Sequence, residues 1–256
     1  LWRLFAPSAR TVRDTPVGFD ALEPALALSD STDAFLAYTG DKRFLLADEG
    51  DAFLMYRVQD GNWIVMGDPV GNEDRWADLL WKLREMADAA QGRILLYQIS
   101  AACLPQAIDL GLSIVKYGEE ARVELARFTL AGPQAKTLRH AERRAVQDGA
   151  EFAVIAAAEV PAHLAELKAV SDDWLHAKRQ REKAFSLGSF DPAYMARFPC
   201  AVVRIGGRIV AFANILATSN GAEMSVDLMR HVNDIPYGVM DFLFIRLMQH
   251  AQQAGY

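Results

Sequence analysis

Only two cysteines occur in the chain, Cys103 and Cys200, and they lie far apart without a Cys-x-x-Cys pair or a Cys/His ligand spacing. A disulfide framework and a structural zinc centre are thereby disfavoured, and a reducing compartment is expected. Also missing is any run of about 18 apolar residues, the length a membrane-crossing helix needs. The opening stretch, "LWRLFAPSARTVRD", lacks the layout of a secretory signal. Its first residue is not Met, so the chain is expected to be a piece of something longer. Gly-x-Ser-x-Gly, His-Glu-x-x-His and clustered histidines are absent too, which disfavours Ser/His and zinc hydrolases. There is no excess of positive charge: a net charge of -6 and a pI near 5.4 argue against indiscriminate binding to nucleic acid or anionic membranes. Any polyanion has to be met by local basic islands.

What is present reads as a folded protein. With 256 residues, 52% hydrophobic and 23% charged, the chain can bury a core as one large domain or two ordinary ones. "RFLLAD", "DAFLMYRV" and "NWIVMG" predict three antiparallel strands, the last two joined at Asp60-Gly61, a step suited to a tight hairpin. A helix follows, with Trp76, Leu79, Leu80, Leu83, Met86, Ala87 and Ala90 on one stripe, Asn72 as N-cap and Gly92 as a stop. Then come a strand "RILLYQI", a short helix ending near Gly111 and a strand around "LSIVKYG". In the second half "TLRHAERRAVQDG" and "PAHLAELKAVSDDWLHAKR" predict helices. "CAVVRI", Gly206-Gly207 and "RIVAFANILA" predict a hairpin, followed by "EMSVDLM" and a helix over 238–254.

The order of three strands, loop and helix thus recurs. It predicts an α/β (α+β) chain of two units, residues 1–127 and 128–256, consistent with tandem duplication. Because the second half stops at "AQQAGY", right after its matching helix, its sheet is expected to continue beyond Tyr256.

This order of elements resembles the Gcn5-related N-acetyltransferase fold. There the loop before the helix carries glycines whose amides hold the pyrophosphate of coenzyme A. The corresponding loops here, "MGDPVGNED" and "RHVNDIPYG", lack that glycine spacing and contain proline, which removes an amide donor. No cofactor is expected, and no metal. Tandem acetyltransferase-like domains with degenerate coenzyme A loops resemble enzymes that take their acyl group from aminoacyl-tRNA. Within that group the chain is similar to the C-terminal catalytic domain of the aminoacyl-phosphatidylglycerol synthases, the multiple peptide resistance factor family. The resemblance rests on "GDPVG", "LGLSIVKYGEEARVEL", "KAFSLGSFD", "IVAFAN" and above all "SVDLMRHVNDIPYGVMDFLF". It implies transfer of alanine or lysine from charged tRNA to phosphatidylglycerol at the cytosolic face of the bacterial inner membrane, with an N-terminal membrane region outside this chain. The product is a less anionic lipid and the consequence is resistance to cationic antimicrobial peptides. The acidic chain favours a neutral alanyl donor over lysyl. A soluble tRNA-dependent transferase acting on peptidoglycan precursors, or a non-catalytic module that binds anionic lipid, are the alternatives.

Ester exchange needs alignment, a route for the hydroxyl proton and stabilisation of an oxyanion. Asp227 and Arg230 are the expected catalytic pair. Asp227 either accepts the hydroxyl proton or holds the α-ammonium, and Arg230 grips a phosphate with its fork; the competing reading is a plain strand-end ion pair. Strict alternation puts these two on opposite faces of a strand, so a bulge or the strand end has to bring them together. Asn214, Asp234, Tyr237, Asp241 and Ser186 fall in the family-like motifs and are expected at the substrate, although Asp241 equally suits a helix first turn. Lys136, Arg139, His140, Arg143 and Arg144 recur on one helical face, and Lys178, Arg179, Arg181 and Lys183 form a second island. Both suit the phosphates of tRNA or lipid, with the assignment between them open, against the alternative of solvated faces. Trp76, Trp81 and Trp174 are expected to pack, and Gly188 to serve the backbone.

Overall fold

A computed structural model describes residues 17–256; the reading of the first 14 residues as lacking a signal layout lies outside that range. The chain forms two compact units, Leu1–Glu119 and Glu120–Tyr256. The division falls a few residues before the 127/128 boundary expected from the repeated pattern.

In the first unit, α1 (Glu23–Ala27) precedes β1 (Arg43–Leu46), β2 (Ala52–Gln59) and β3 (Asn62–Met66), followed by the short β4 (Val70–Gly71), α2 (Trp76–Ala89), β5 (Arg93–Tyr97) and α3 (Leu104–Asp109). The sheet runs β1-β2-β3-β5, with β4 pairing β2; β1, β2 and β3 are antiparallel and β5 lies parallel to β3. Asp60 and Gly61 both take positive φ, the geometry that a two-residue hairpin demands. Asn72 caps a 3-10 turn by accepting from Asp74 N, and that turn leads into α2. The stripe of α2 is the one its spacing predicts: Trp76, Leu79, Leu80, Leu83 and Ala87 are buried against Leu54, Tyr56, Trp63 and Val65 of the sheet.

The stretch 112–118, expected as a strand, is irregular. Its apolar residues Ile114 and Val115 and its aromatic Tyr117 are exposed, so the hydrophobic alternation there has no strand to pair with.

The second unit holds α4 (Lys136–Gln147), β6 (Glu151–Ile155), α5 (Val160–Lys178), α6 (Pro192–Met195), β7 (Cys200–Ile205), β8 (Arg208–Ala217), β9 (Met224–His231) and α7 (Val239–Ala254). Its sheet is antiparallel throughout, in the order β6-β7-β8-β9. Strand β6 is absent from the sequence-based expectation, because "EFAVI" is five residues between two helices. Helices α4 and α7 lie on one face, over Val203, Ala211 and Ala213, and α5 packs on β8 and β9 from the other.

Two local features of this unit shape its surface and its charged strand. Gly238 begins α7 with φ +84, and a Cβ there would lie 2.8 Å from the Ala141 carbonyl, so only glycine lets α7 start against α4. In β9 the register slips: Ala213 faces Met229, yet Ile215 faces Val226, so Asp227 and Leu228 together oppose Asn214. This is a β-bulge, closed by Leu228 N donating to Asn214 Oδ1 at 2.7 Å. Among the described residues no helix is long and apolar enough to cross a membrane.

Candidate active site

The bulge decides where the charged residues of β9 point. With one extra residue in the strand, Asp227 and Arg230 both reach the face that carries α5 and α6, although their spacing alone would separate them. They share a face but not each other: each has its own partners.

Asp227 is half-buried and tightly held. Its Oδ1 and Oδ2 accept from Gly188 N at 2.9 and 3.0 Å, and Oδ2 also accepts from the Tyr194 hydroxyl at 2.7 Å. Tyr194 comes from α6, whose N-cap Asp191 accepts from Tyr194 N at 2.9 Å, so the ring is fixed from its own backbone. Burial, then the charge and hydrogen bond of Asp227, push the phenol well above its usual range, which keeps the hydroxyl a donor. Asn214 sits beneath, fully buried, its Oδ1 used by the bulge and its Nδ2 without a hydrogen-bond partner. That nitrogen lies close enough to Tyr194 to oppose the rise in its pKa, short of good hydrogen-bond geometry. A fully buried donor without a well-formed hydrogen bond is rare in folded proteins and calls for a strain or functional reason.

Arg230, 4% exposed, has its fork occupied from within the chain. Nη1 and Nη2 each donate to Glu182 at 2.7 Å, Nη1 also donates to Ser171, and the guanidinium lies 5.4 Å above the Trp174 ring. The expected bidentate grip on a substrate phosphate is therefore replaced in this structure by a carboxylate of the protein's own, because a guanidinium this deeply buried requires a fixed partner. Burial pulls Glu182 upward, but the hydrogen bond and charge of Arg230 and the Phe190 amide outweigh it, so its carboxyl stays below the ordinary range.

The other expected site residues divide. Ser186 is half-buried in the α5–α6 loop, two residues before Gly188. Asp234 is exposed in the turn after β9, and Asp241 is exposed in the first turn of α7, where an acid suits the helix dipole. Tyr237 is exposed and lines a hollow of about 440 Å³ together with His140, Arg143, Arg144 and Gln147. Of the α4 stripe, Arg143 and Arg144 thus face this hollow and Lys136 is exposed, whereas Arg139 donates to the carbonyls of Leu130 and Gly132 and serves the loop instead. Lys178, Arg179, Arg181 and Lys183 are all exposed around the C-terminus of α5, with Arg179 in the left-handed conformation.

Sequence reasoning missed Tyr194 and Glu182. The Asp-Pro start of α6 announces a capped helix but says nothing of what its tyrosine touches, whereas Glu182 is an acid inside a basic island, a discord that is itself a signal. Both thiols are buried and pushed up to about 12, Cys103 by burial and then by Asp68, and Cys200 by burial alone, so neither is a nucleophile at neutral pH. Among the described residues no three His, Cys, Asp or Glu side chains gather as metal ligands would.

Known proteins with similar sequences and folds bear on this arrangement. The chain is 38% identical over 221 residues to a phosphatidylglycerol lysyltransferase of Bacillus subtilis and 33% identical over 222 residues to that of Staphylococcus xylosus. Each match covers 86% of this chain and 26% of the relative, so the chain spans about a quarter of the length of the curated relatives it matches. A crystal structure of the C-terminal domain of a putative lysylphosphatidylglycerol synthetase from Agrobacterium fabrum superposes with a TM-score of 0.89 at 43% identity, covering 93% of this chain and 76% of that one. The structure of L-PGS from Bacillus licheniformis does so with a TM-score of 0.89 at 35% identity, over 96% and 76%. The family model described as "Phosphatidylglycerol lysyltransferase, C-terminal" matches residues 25–256, and the chain belongs to that family.

Proposed function

We propose that this chain is the catalytic portion of an aminoacyltransferase that moves an amino acid from aminoacyl-tRNA to phosphatidylglycerol, on a pair of acetyltransferase-like units. In the reaction a glycerol hydroxyl of the lipid attacks the aminoacyl carbonyl, a new C–O ester bond forms, the bond to the tRNA ribose breaks, and the hydroxyl proton passes to the departing ribose oxygen. No covalent enzyme intermediate is needed, only alignment and charge placement.

The residues suit that task. Asp227 keeps acceptor capacity beyond the Gly188 and Tyr194 contacts and holds the α-ammonium of the aminoacyl group beside the reacting carbonyl. The buried Nδ2 of Asn214, which has no well-formed hydrogen bond, serves as the donor for the carbonyl oxygen as it gains charge once the site opens to substrate. Ser186 lies in the same loop as Gly188, Tyr237 lines the basic hollow, and Asp234 and Asp241 stand exposed in the turn after β9 and the first turn of α7, open to a substrate. Arg143 and Arg144 there, and Lys136, Lys178, Arg179, Arg181 and Lys183 elsewhere, meet phosphates of tRNA or lipid. For the amino acid carried we take lysine, in line with the names of the relatives, over the alanine that net charge favours, since overall charge does not define a pocket. Working at the cytosolic face of the bacterial membrane, such an enzyme lowers its negative charge and protects against cationic peptides.

One observation carries this reading: in a chain of this family, a half-buried carboxylate is fixed by Gly188 and Tyr194 next to an unsatisfied buried donor. The test is to offer purified protein lysyl-tRNA and alanyl-tRNA in competition, each differently labelled, with phosphatidylglycerol vesicles. Lysine label in the chloroform phase supports the reading. Label that moves only to water-soluble acceptors, or none moved at all, overturns it.

A further inference from the structure

The loop joining α5 to α6, residues 179–191, is tied to the sheet at three points. Glu182 takes both arms of the Arg230 fork, and its Oε1 also accepts from Phe190 N at 3.2 Å. Six residues beyond Glu182, the Gly188 amide is on Asp227. Two residues further on, the Phe190 ring meets Phe212 of β8 edge-on at 6.1 Å. Arg230 in turn is braced from α5 by Ser171 and Trp174, so its guanidinium is a fixed post on which the loop hangs. The carboxylate of Glu182 contacts both this post and the loop's own far end. A lost contact there frees Phe190 N, and Phe190 is two residues from the amide that orients Asp227.

We propose that Glu182 is a positioning residue: by locking onto Arg230 and onto Phe190 N it closes residues 182–190 into a clasp that holds the Gly188 amide on the Asp227 carboxylate. Arg230 therefore acts on the loop and through it on Asp227, not on a substrate phosphate. The link to catalysis rests on the proposed aminoacyl transfer; the clasp itself does not.

Amide hydrogen exchange and transfer kinetics on Glu182→Ala and Glu182→Gln, side by side with the wild type, test it. In the alanine variant the amides of Gly188 and Phe190 are expected to exchange on the order of tenfold faster, with β2 and β3 of the first unit unchanged. Turnover is expected to fall roughly 100-fold, as for a misplaced reacting group, with KM for phosphatidylglycerol within about threefold. The glutamine variant keeps an acceptor for Phe190 N and a neutral partner for Arg230, so it is expected to recover part of both losses, and its exchange and turnover decide the clasp on their own should the alanine variant fail to fold. Unchanged exchange in both variants overturns the clasp. So does an alanine variant that binds glycerol phosphate more tightly than the wild type, since Arg230 would then be a phosphate site that Glu182 merely blocks. If the wild type transfers no amino acid, the functional reading fails while the exchange data still decide the clasp.

Discussion

Gly188 and Asp227 stand so close that one glycine amide reaches both carboxylate oxygens, at 2.9 and 3.0 Å. A Cβ at Gly188 would overlap Asp227 Oδ2 and come 2.6 Å from Tyr194 Cε1. The backbone there is not in the left-handed region, so alanine is tolerated conformationally and the conflict is with the site alone. Gly188→Ala is expected to lower turnover roughly 100-fold by shifting the carboxylate, while circular dichroism stays that of the wild type. Turnover within threefold of the wild type would mean that the position of Asp227 does not matter.

Gly238 makes the opposite kind of demand. Its φ of +84 and the approach of Ala141 O both exclude a side chain. Gly238→Ala is expected to cost about 1–3 kcal/mol from the backbone conformation, before the clash is counted. A thermal melt should show Tm lower by roughly 2–12 °C. A melt unchanged by the substitution would show that α4 and α7 separate without penalty.

The hollow between Arg143, Arg144 and Tyr237 makes a salt-dependence prediction. If each arginine meets one phosphate, Arg143→Ala and Arg144→Ala should each reduce the slope of log affinity against log salt by about 0.7–0.9 for tRNA. Arg139→Ala should leave the slope alone and lower Tm, because that guanidinium is spent on Leu130 and Gly132 carbonyls. Equal slopes in all three variants would return α4 to being a solvated helix face.

Glu182 sets a pH window. Its folded-state pKa lies below the ordinary 4.5: burial raises it, the Arg230 hydrogen bond and charge and the Phe190 amide lower it further, and the like charge of Asp172 opposes them. A depressed carboxylate contributes stability above its unfolded pKa and loses it as pH falls through the folded one. The stability difference between wild type and Glu182→Gln should therefore be flat from about pH 7 to about pH 5 and shrink at lower pH. Urea titrations across that range measure it, and a difference that shrinks already near neutrality would contradict the ion pair.

Much of this architecture is legible in the residues. Asp60-Gly61 and Gly206-Gly207 announce hairpins because few other residues adopt those turn angles, and α2 and α4 declare themselves by periodicity. The run at 112–118 misleads because apolar alternation specifies a strand only when a neighbour supplies hydrogen bonds, and "EFAVI" escapes notice for the converse reason: its partner β7 lies 45 or more residues on. At the site, Asp227 stands out by its motif. Tyr194 and Glu182 do not, since they reach Asp227 and Arg230 across 33 and 48 positions of sequence, and only the tertiary fold brings them close.

The doubled residue opposite Asn214 makes chain length, more than chemistry, the vulnerable property of β9. Losing or gaining one residue between Val226 and Met229 would rotate one of its two charges through half a turn, into the layer of α4 and α7. Substitutions in that stretch are local events; a single-codon deletion dismantles the geometry while leaving the composition nearly untouched.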